Sequence, residues 1–164
     1  MEKRRHIIVT GLPGFGTSKV MQLFADRGYR VFGEKWPSNF PQDLHPGGVY
    51  DGHHVLDGLA EWPSECEVIK LMYPGLMKSP IPHDALIVNC VRNHIEAMSS
   101  QLRRGMGWCW NEDDAVDKNI EWHSRFELWR RENSHGMITV KHEDWLLNPE
   151  VEKARVMEFV DGIR

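Results

Sequence analysis

The stretch His6-Ile-Ile-Val-Thr-Gly-Leu-Pro-Gly-Phe-Gly-Thr-Ser18 decides the fold. Its first five residues are short, apolar and largely β-branched, the composition of a strand buried on both faces of a parallel sheet. Glycines then punctuate the chain at 11, 14 and 16, and Thr17 and Ser18 open a helix with apolar positions at Val20, Met21, Leu23 and Phe24. A glycine, four residues, a glycine and two hydroxyl residues between strand and helix make the spacing of a phosphate-binding loop. Glycines let backbone N–H groups turn inward around an anion, and the helix N-terminus adds a positive dipole. Such loops commonly end in Gly-Lys-Ser/Thr. Here Thr17 stands in place of the lysine, which removes the nearest cation and argues against a magnesium nucleoside triphosphate. A ligand-free strand-to-helix turn is the plainer alternative, and the three glycines favour the anion.

Outward from this loop, Tyr29 to Phe32, Glu67 to Leu71, Ala85 to Val91 and Met137 to Val140 read as further strands. Helices are expected at His54 to Trp62, Asn93 to Arg104, Asp113 to Glu132 and Asn148 to Val160, the last with Pro149 in its first turn. Strands alternating with helices predict an α/β fold: a three-layer αβα sandwich around a mainly parallel sheet of about five strands, with the strand at 6–10 in its centre. The length of 164 residues suits one domain over 1–164. Residues 33–65 form a long irregular stretch, which marks function or mobility. The loop around Trp108-Cys109-Trp110, flanked by Gly105 and Gly107, is expected to hinge over a ligand.

The net charge of −4 gives no reason to expect nucleic acid or an anionic membrane as partner. No apolar run approaches the ~20 residues of a membrane helix, and the three residues after His6 are too few for a signal-peptide core. Cys66, Cys90 and Cys109 are odd in number and widely spaced, so neither a metal site nor a disulfide framework is expected. Cys90 reads as a buried core thiol, and the chain as cytoplasmic.

The segment Val9 to Ser18 resembles the 5′-phosphosulfate loop of sulfotransferases, which ends in Ser-Gly-Thr followed by Thr or Ser. A second resemblance lies in Leu86-Ile-Val-Asn-Cys-Val-Arg-Asn-His-Ile-Glu-Ala-Met-Ser-Ser100, where Arg92 ends an apolar strand and Ser100 follows eight residues later. In that family an Arg and a Ser so spaced bind the 3′-phosphate of 3′-phosphoadenosine 5′-phosphosulfate (PAPS), without a metal. A guanidinium fork with a hydroxyl suits a phosphate monoester. The segments Ile138 to Pro149 and Met157 to Gly162 are similar to the family's closing strand and helix, with Glu143 and Asp144 read as turn and cap residues. The likeness runs over almost the full length and is nearest to short bacterial or viral sulfotransferase-like proteins. It implies a sulfotransferase, P-loop-type fold, PAPS as cofactor, and a small-molecule or peptide acceptor. Cofactor-binding positions would be Pro13, Gly14, Phe15, Gly16, Thr17, Ser18, Arg92 and Ser100.

Two departures bear on chemistry. The family has Lys or Arg where this chain has Gly14, a cation that stabilises charge on the bridging oxygen as the sulfuryl group leaves. Lys19 and Lys70 are the nearest cationic candidates in sequence. The family's base aligns with Lys35, beside Glu34, so Glu34 and Lys70 stand as catalytic candidates, with His53, His54 and His83 as further titratable groups. A kinase with a degenerate loop and a binding module without catalysis are the alternatives.

Overall fold

β1 (Ile7–Gly11) lies inside a four-stranded sheet, flanked by β2 (Val68–Met72) and β3 (Leu86–Val91), with β4 (Gly136–Lys141) beyond β3. Every pairing is parallel, and Ile8 lies level with Ile69 on one side and Ile87 on the other. The structure is a computed structural model and describes residues 5–37, 47–103 and 112–162. Helices α1 (Thr17–Asp26), α2 (His54–Asp57), α3 (Tyr73–Lys78), α4 (His94–Arg103), α5 (Glu112–Glu132), α6 (His142–Leu147) and α7 (Pro149–Gly162) complete the α/β fold. Every residue of β1 and β2 is buried, Thr10 and Lys70 included, in keeping with their mainly apolar character. None of the described helices is long and apolar enough to cross a membrane.

The expected strand at Tyr29 to Phe32 is the one correction to the sheet. It shrinks to a single parallel bridge between Val31 and Val68 on the outer edge of β2. The Arg30 N–H turns to the Glu67 carboxylate instead of continuing a ladder, at 2.8 Å. Gly33 then takes φ 113°, a left-handed conformation that swings the chain away. Glu34 pairs antiparallel with Asp51. The helix expected from His54 to Trp62 also ends early, at Asp57, because Gly58 leaves helical space with φ 82°.

Two helices escape the periodicity. Pro74 and Gly75 make the segment after β2 read as loop, yet it is α3. Proline is tolerated in a first turn, and a side chain at Gly75 would strike the Val55 carbonyl, so glycine is what lets α2 and α3 pack. The other, α6, follows β4 without an intervening loop. Glu143 does not cap it. Its carboxylate accepts the Asn93 N–H at 3.2 Å and so ties α6 to the start of α4. At the far edge, Arg155 of α7 is held by Glu152 and donates to the Thr139 carbonyl of β4 at 2.7 Å.

Alternation sorts the sheet's two faces. Val9, Lys70, Val88 and Cys90 look towards α1, while Thr10, Leu71 and Asn89 look the other way. There the buried Tyr73 hydroxyl donates to Asn89 Oδ1 at 2.9 Å, and its ring stacks on Phe126 of α5 at 4.2 Å. Gly11 is the tightest point. A Cβ there would lie 2.7 Å from the Cys90 carbonyl oxygen, and its φ of 155° already disfavours a side chain. Gly11→Ala should therefore lower unfolding free energy by at least about 2 kcal/mol in urea titration, whereas Gly28→Ala, with open space around it, should cost only the strain of its φ.

Candidate functional site

At the end of β1 the chain makes a turn in which the Phe15 N–H donates to the Leu12 carbonyl at 3.0 Å. Phe15 drives its ring into the core, 1% exposed, 5.7 Å from the ring of His94. That ring anchors the loop, and its own N–H is engaged within the turn. Gly14 and Gly16 both adopt left-handed φ, 78° and 87°. Gly16 is the N-cap of α1 and carries no capping side chain. The N–H groups of Thr17 and Ser18 begin the helix, where no helical carbonyl can reach them. No acid stands in the first turn, so the dipole end is open to an anion. The methyl of Thr17 packs over Gly11 and the residue is buried, while Ser18 is half-buried. His142, at the start of α6, closes the loop's other side: a Cβ on Gly16 would stand 2.7 Å from its Nδ1.

β1 and β3 are neighbours and parallel, so Arg92 emerges beside this loop. Its Nη1 donates to the Gly14 carbonyl at 3.1 Å. Sequence spacing names Lys19 and Lys70 as stand-ins for the absent loop cation, but Arg92 is the cation that reaches Gly14. Its Nε is buried and has no hydrogen-bond partner. The carboxylate of Glu96 is 3.8 Å from it, ion-pair range but beyond hydrogen-bonding distance, and that carboxylate is more than half exposed. An unpaired buried donor costs about 1–3 kcal/mol, which makes this N–H a natural partner for a bound anion. Ser100 shares the inward face of α4 with Ala97, and both are buried. Asn93 caps α4, accepting the N–H groups of Ile95 and Glu96. Lys19 lies instead in an open groove between α1 and α6–α7, alongside Trp145 and Lys153.

The two catalytic candidates meet elsewhere, at Asp51. Lys70 is 1% exposed, and its ammonium bonds the Val49 carbonyl and pairs with the Asp51 carboxylate. Burial pulls its pKa below the ordinary lysine value, against the pull of Asp51. Glu34 is exposed and exchanges backbone hydrogen bonds with Asp51 at 2.8 and 3.1 Å. His54 stands close by, its pKa lowered first by burial and then by Lys70. Buried Lys70 thus holds the segment that carries Asp51 and, through it, Glu34. Cys90, behind the loop, is an inert thiol pushed up to about 12 by burial. The Trp108-Cys109-Trp110 segment lies outside the described residues.

No family model matches the chain, and no curated protein matches it. Among solved structures, an uncharacterized protein from Eubacterium ventriosum is similar over 98% of this chain and 99% of its own, with a TM-score of 0.43 and 9% identity. That likeness is too loose to bear on function.

Asp51→Asn would leave the Lys70 ammonium buried beside a neutral amide, and breaking such a pair costs about 3 kcal/mol. Lys70 is depressed in the fold below its ordinary 10.5. Between its folded and unfolded values the unfolded chain therefore holds more protons, and stability rises with pH. Asp51 opposes that depression, so its loss should extend the window to lower pH. Urea unfolding from about pH 7 to about pH 10 should show Asp51→Asn regaining stability as pH rises, and Lys70→Met showing no such gain.

Proposed function

We propose that the chain binds PAPS at the Gly14–Ser18 loop and transfers its sulfuryl group to a hydroxyl or amine of a small-molecule or peptide acceptor. The reading rests on the resemblance of two separate segments to the sulfotransferase family. The observation that carries it is the meeting of those segments: Arg92 on the Gly14 carbonyl, with a buried, unpaired Nε. Gly14 and Arg92 lie 78 residues apart in sequence, and parallel pairing of β1 with β3 brings them to one edge of the sheet, where open α/β sheets take their ligands. The residues fit the cofactor's two anionic ends. The N–H groups of Gly14, Gly16, Thr17 and Ser18 would hold the 5′-phosphosulfate, with Pro13 and Phe15 shaping the turn. Arg92 and Ser100 would hold the 3′-phosphate.

When bound, PAPS supplies an activated sulfuryl group. The chain's own part is positioning and charge stabilisation. The N-terminal dipole of α1 favours negative charge in the loop. Glu34, exposed and held by its backbone to Asp51, is the group assigned to take the acceptor's proton. Lys70 is a positioning residue, since its ammonium is engaged by Asp51 and Val49. We assign the reaction to the cytoplasm, in keeping with the buried free thiols of Cys66 and Cys90. Gly14 in the loop and the engagement of Lys70 favour a second reading, in which the nucleotide binds without turnover.

Calorimetric titration with 3′-phosphoadenosine 5′-phosphate, beside 5′-AMP and ATP with magnesium, tests the reading. The wild type should prefer the 3′-phosphorylated nucleotide. Arg92→Ala should weaken that ligand by roughly ten- to a thousand-fold and leave 5′-AMP nearly unchanged. Equal loss of both would make Arg92 a support of the loop alone. A wild type that favours magnesium ATP would overturn the sulfotransferase reading. Binding without turnover of PAPS on a panel of phenols, amines and tyrosyl peptides would leave the non-catalytic form.

A further inference from the structure

The seam between α4 and α5 holds polar side chains that the site above does not use. Asn119 of α5 is wholly buried, and neither its Nδ2 nor its Oδ1 has a hydrogen-bond partner. His123 lies one turn further on the same face of the helix, and its Nδ1 is also buried and unpaired. Across the seam His94, at the start of α4, repeats the pattern, its ring centroid 5.8 Å from that of His123. Ring contacts link the group to its surroundings, His94 to Phe15 of the loop at 5.7 Å and His123 to Tyr73 at 6.1 Å. Among the described residues ten buried side-chain polar atoms lack partners, and Asn119, His94 and His123 hold four of them. Folded proteins rarely leave such atoms unmatched, so their concentration in one seam asks for a ligand.

We propose that this seam binds a small uncharged molecule presenting a hydrogen-bond donor and acceptor side by side, the edge of a primary carboxamide or lactam. The amide of Asn119 offers one donor group and one acceptor, and a second amide complements it in a cyclic pair whichever way the side chain is turned. His94 and His123 are half-buried, so they form the part of the wall that reaches solvent. Each imidazole can donate or accept according to its tautomer. The rings of Phe15, His94 and His123 suit a flat molecule. The side chains of Tyr73, Asn89, Asn119 and the two imidazoles carry no fixed charge, and the carboxylate of Glu127 acts on Tyr73, so a bound carboxylate would lose its hydration without gaining a partner. Burial, and then His123, lower the His94 pKa and so disfavour its charged form. The inference does not rest on sulfuryl transfer, although the contact through Phe15 places the seam next to the anion loop.

The test uses the full chain, with benzamide as probe and benzoate as its charged counterpart, read by NMR of the histidine side chains. Benzamide should shift the His94 and His123 signals saturably, and benzoate should bind at least tenfold more weakly. Asn119→Leu should weaken benzamide at least tenfold, and the smaller, helix-favouring Asn119→Ala guards against a leucine variant that fails to fold. Absence of a saturable shift in the wild type overturns the proposal, as does equal binding of benzoate, or undiminished affinity in a folded Asn119 variant. That last result would mean the seam's polar atoms are matched by ordered water alone. Titration of the same sample with 3′-phosphoadenosine 5′-phosphate separates the two readings. Nucleotide binding without a benzamide response removes the seam site and leaves the anion loop, and the converse removes the nucleotide.

Discussion

The close approach of Gly11 to the Cys90 carbonyl sets the geometry of the sheet's carboxyl edge. With no Cβ at Gly11, β1 can end against the end of β3 and its chain can turn at once towards α1. Thr17 then packs over the same glycine, and Phe15 swings into the core. Arg92 leaves β3 at the level where the loop passes and reaches the carbonyl of Gly14. A wider separation there would move the guanidinium away from the loop and leave two phosphate-type features unconnected. Aromatic packing strengthens the join, since Phe15 contacts His94 one residue into α4. Displacement of the loop is therefore felt at the first turn of α4, through a packed ring as well as a hydrogen bond.

The same sheet handles a buried charge on its other flank. Lysine is rarely fully buried unless paired, and Lys70 is sequestered among β-branched neighbours on the α1 face. Its partner, Asp51, comes from the irregular stretch before α2, and the Val49 carbonyl takes another of its donors. The pair fastens a segment with little regular structure of its own to the middle of β2. Replacing both members with apolar residues of similar size could leave the fold as stable, so what the pair contributes is location. It fixes where Glu34 and His54 stand.

The fold class was legible in the sequence because β1, β2 and β3 are buried on both faces and so carry mainly apolar runs, interrupted only by Thr10, Lys70 and Asn89. β4 was legible too, although it lies at an edge, because Met137, Ile138 and Val140 keep the strand's composition. Tyr29 to Phe32 shares that composition, and no local rule could reveal that Gly33 would divert it after one bridge. Pro74 and Gly75 hid α3 because both residues disfavour helices in general, while one sits in a tolerant first turn and the other is demanded by a tertiary contact. At the candidate site, the glycines and the Arg92–Ser100 spacing could be read directly, since they depend on neighbours in the chain. The reach of Arg92 to Gly14, the meeting of Lys70 and Glu34 at Asp51, and the polar face of Asn119 and His123 depend on strand order and helix packing. A sequence discloses these only through residues that look out of place, and the polar positions of the long helix at 119 and 123 were such a signal.

The diverted segment and the Arg155 contact share a further effect. An open parallel sheet ends in two strands whose outer peptide groups can recruit a strand from another molecule. Here the peptides of Arg30 and Phe32 take up that side of β2, with the Phe32 N–H on the Val68 carbonyl at 2.8 Å. On the opposite border the guanidinium of Arg155, steadied by Glu152, occupies the Thr139 carbonyl. A stray chain seeking to lengthen the sheet would have to evict one or the other. Protection of this kind against runaway association lets a small domain keep a strongly apolar sheet at high concentration.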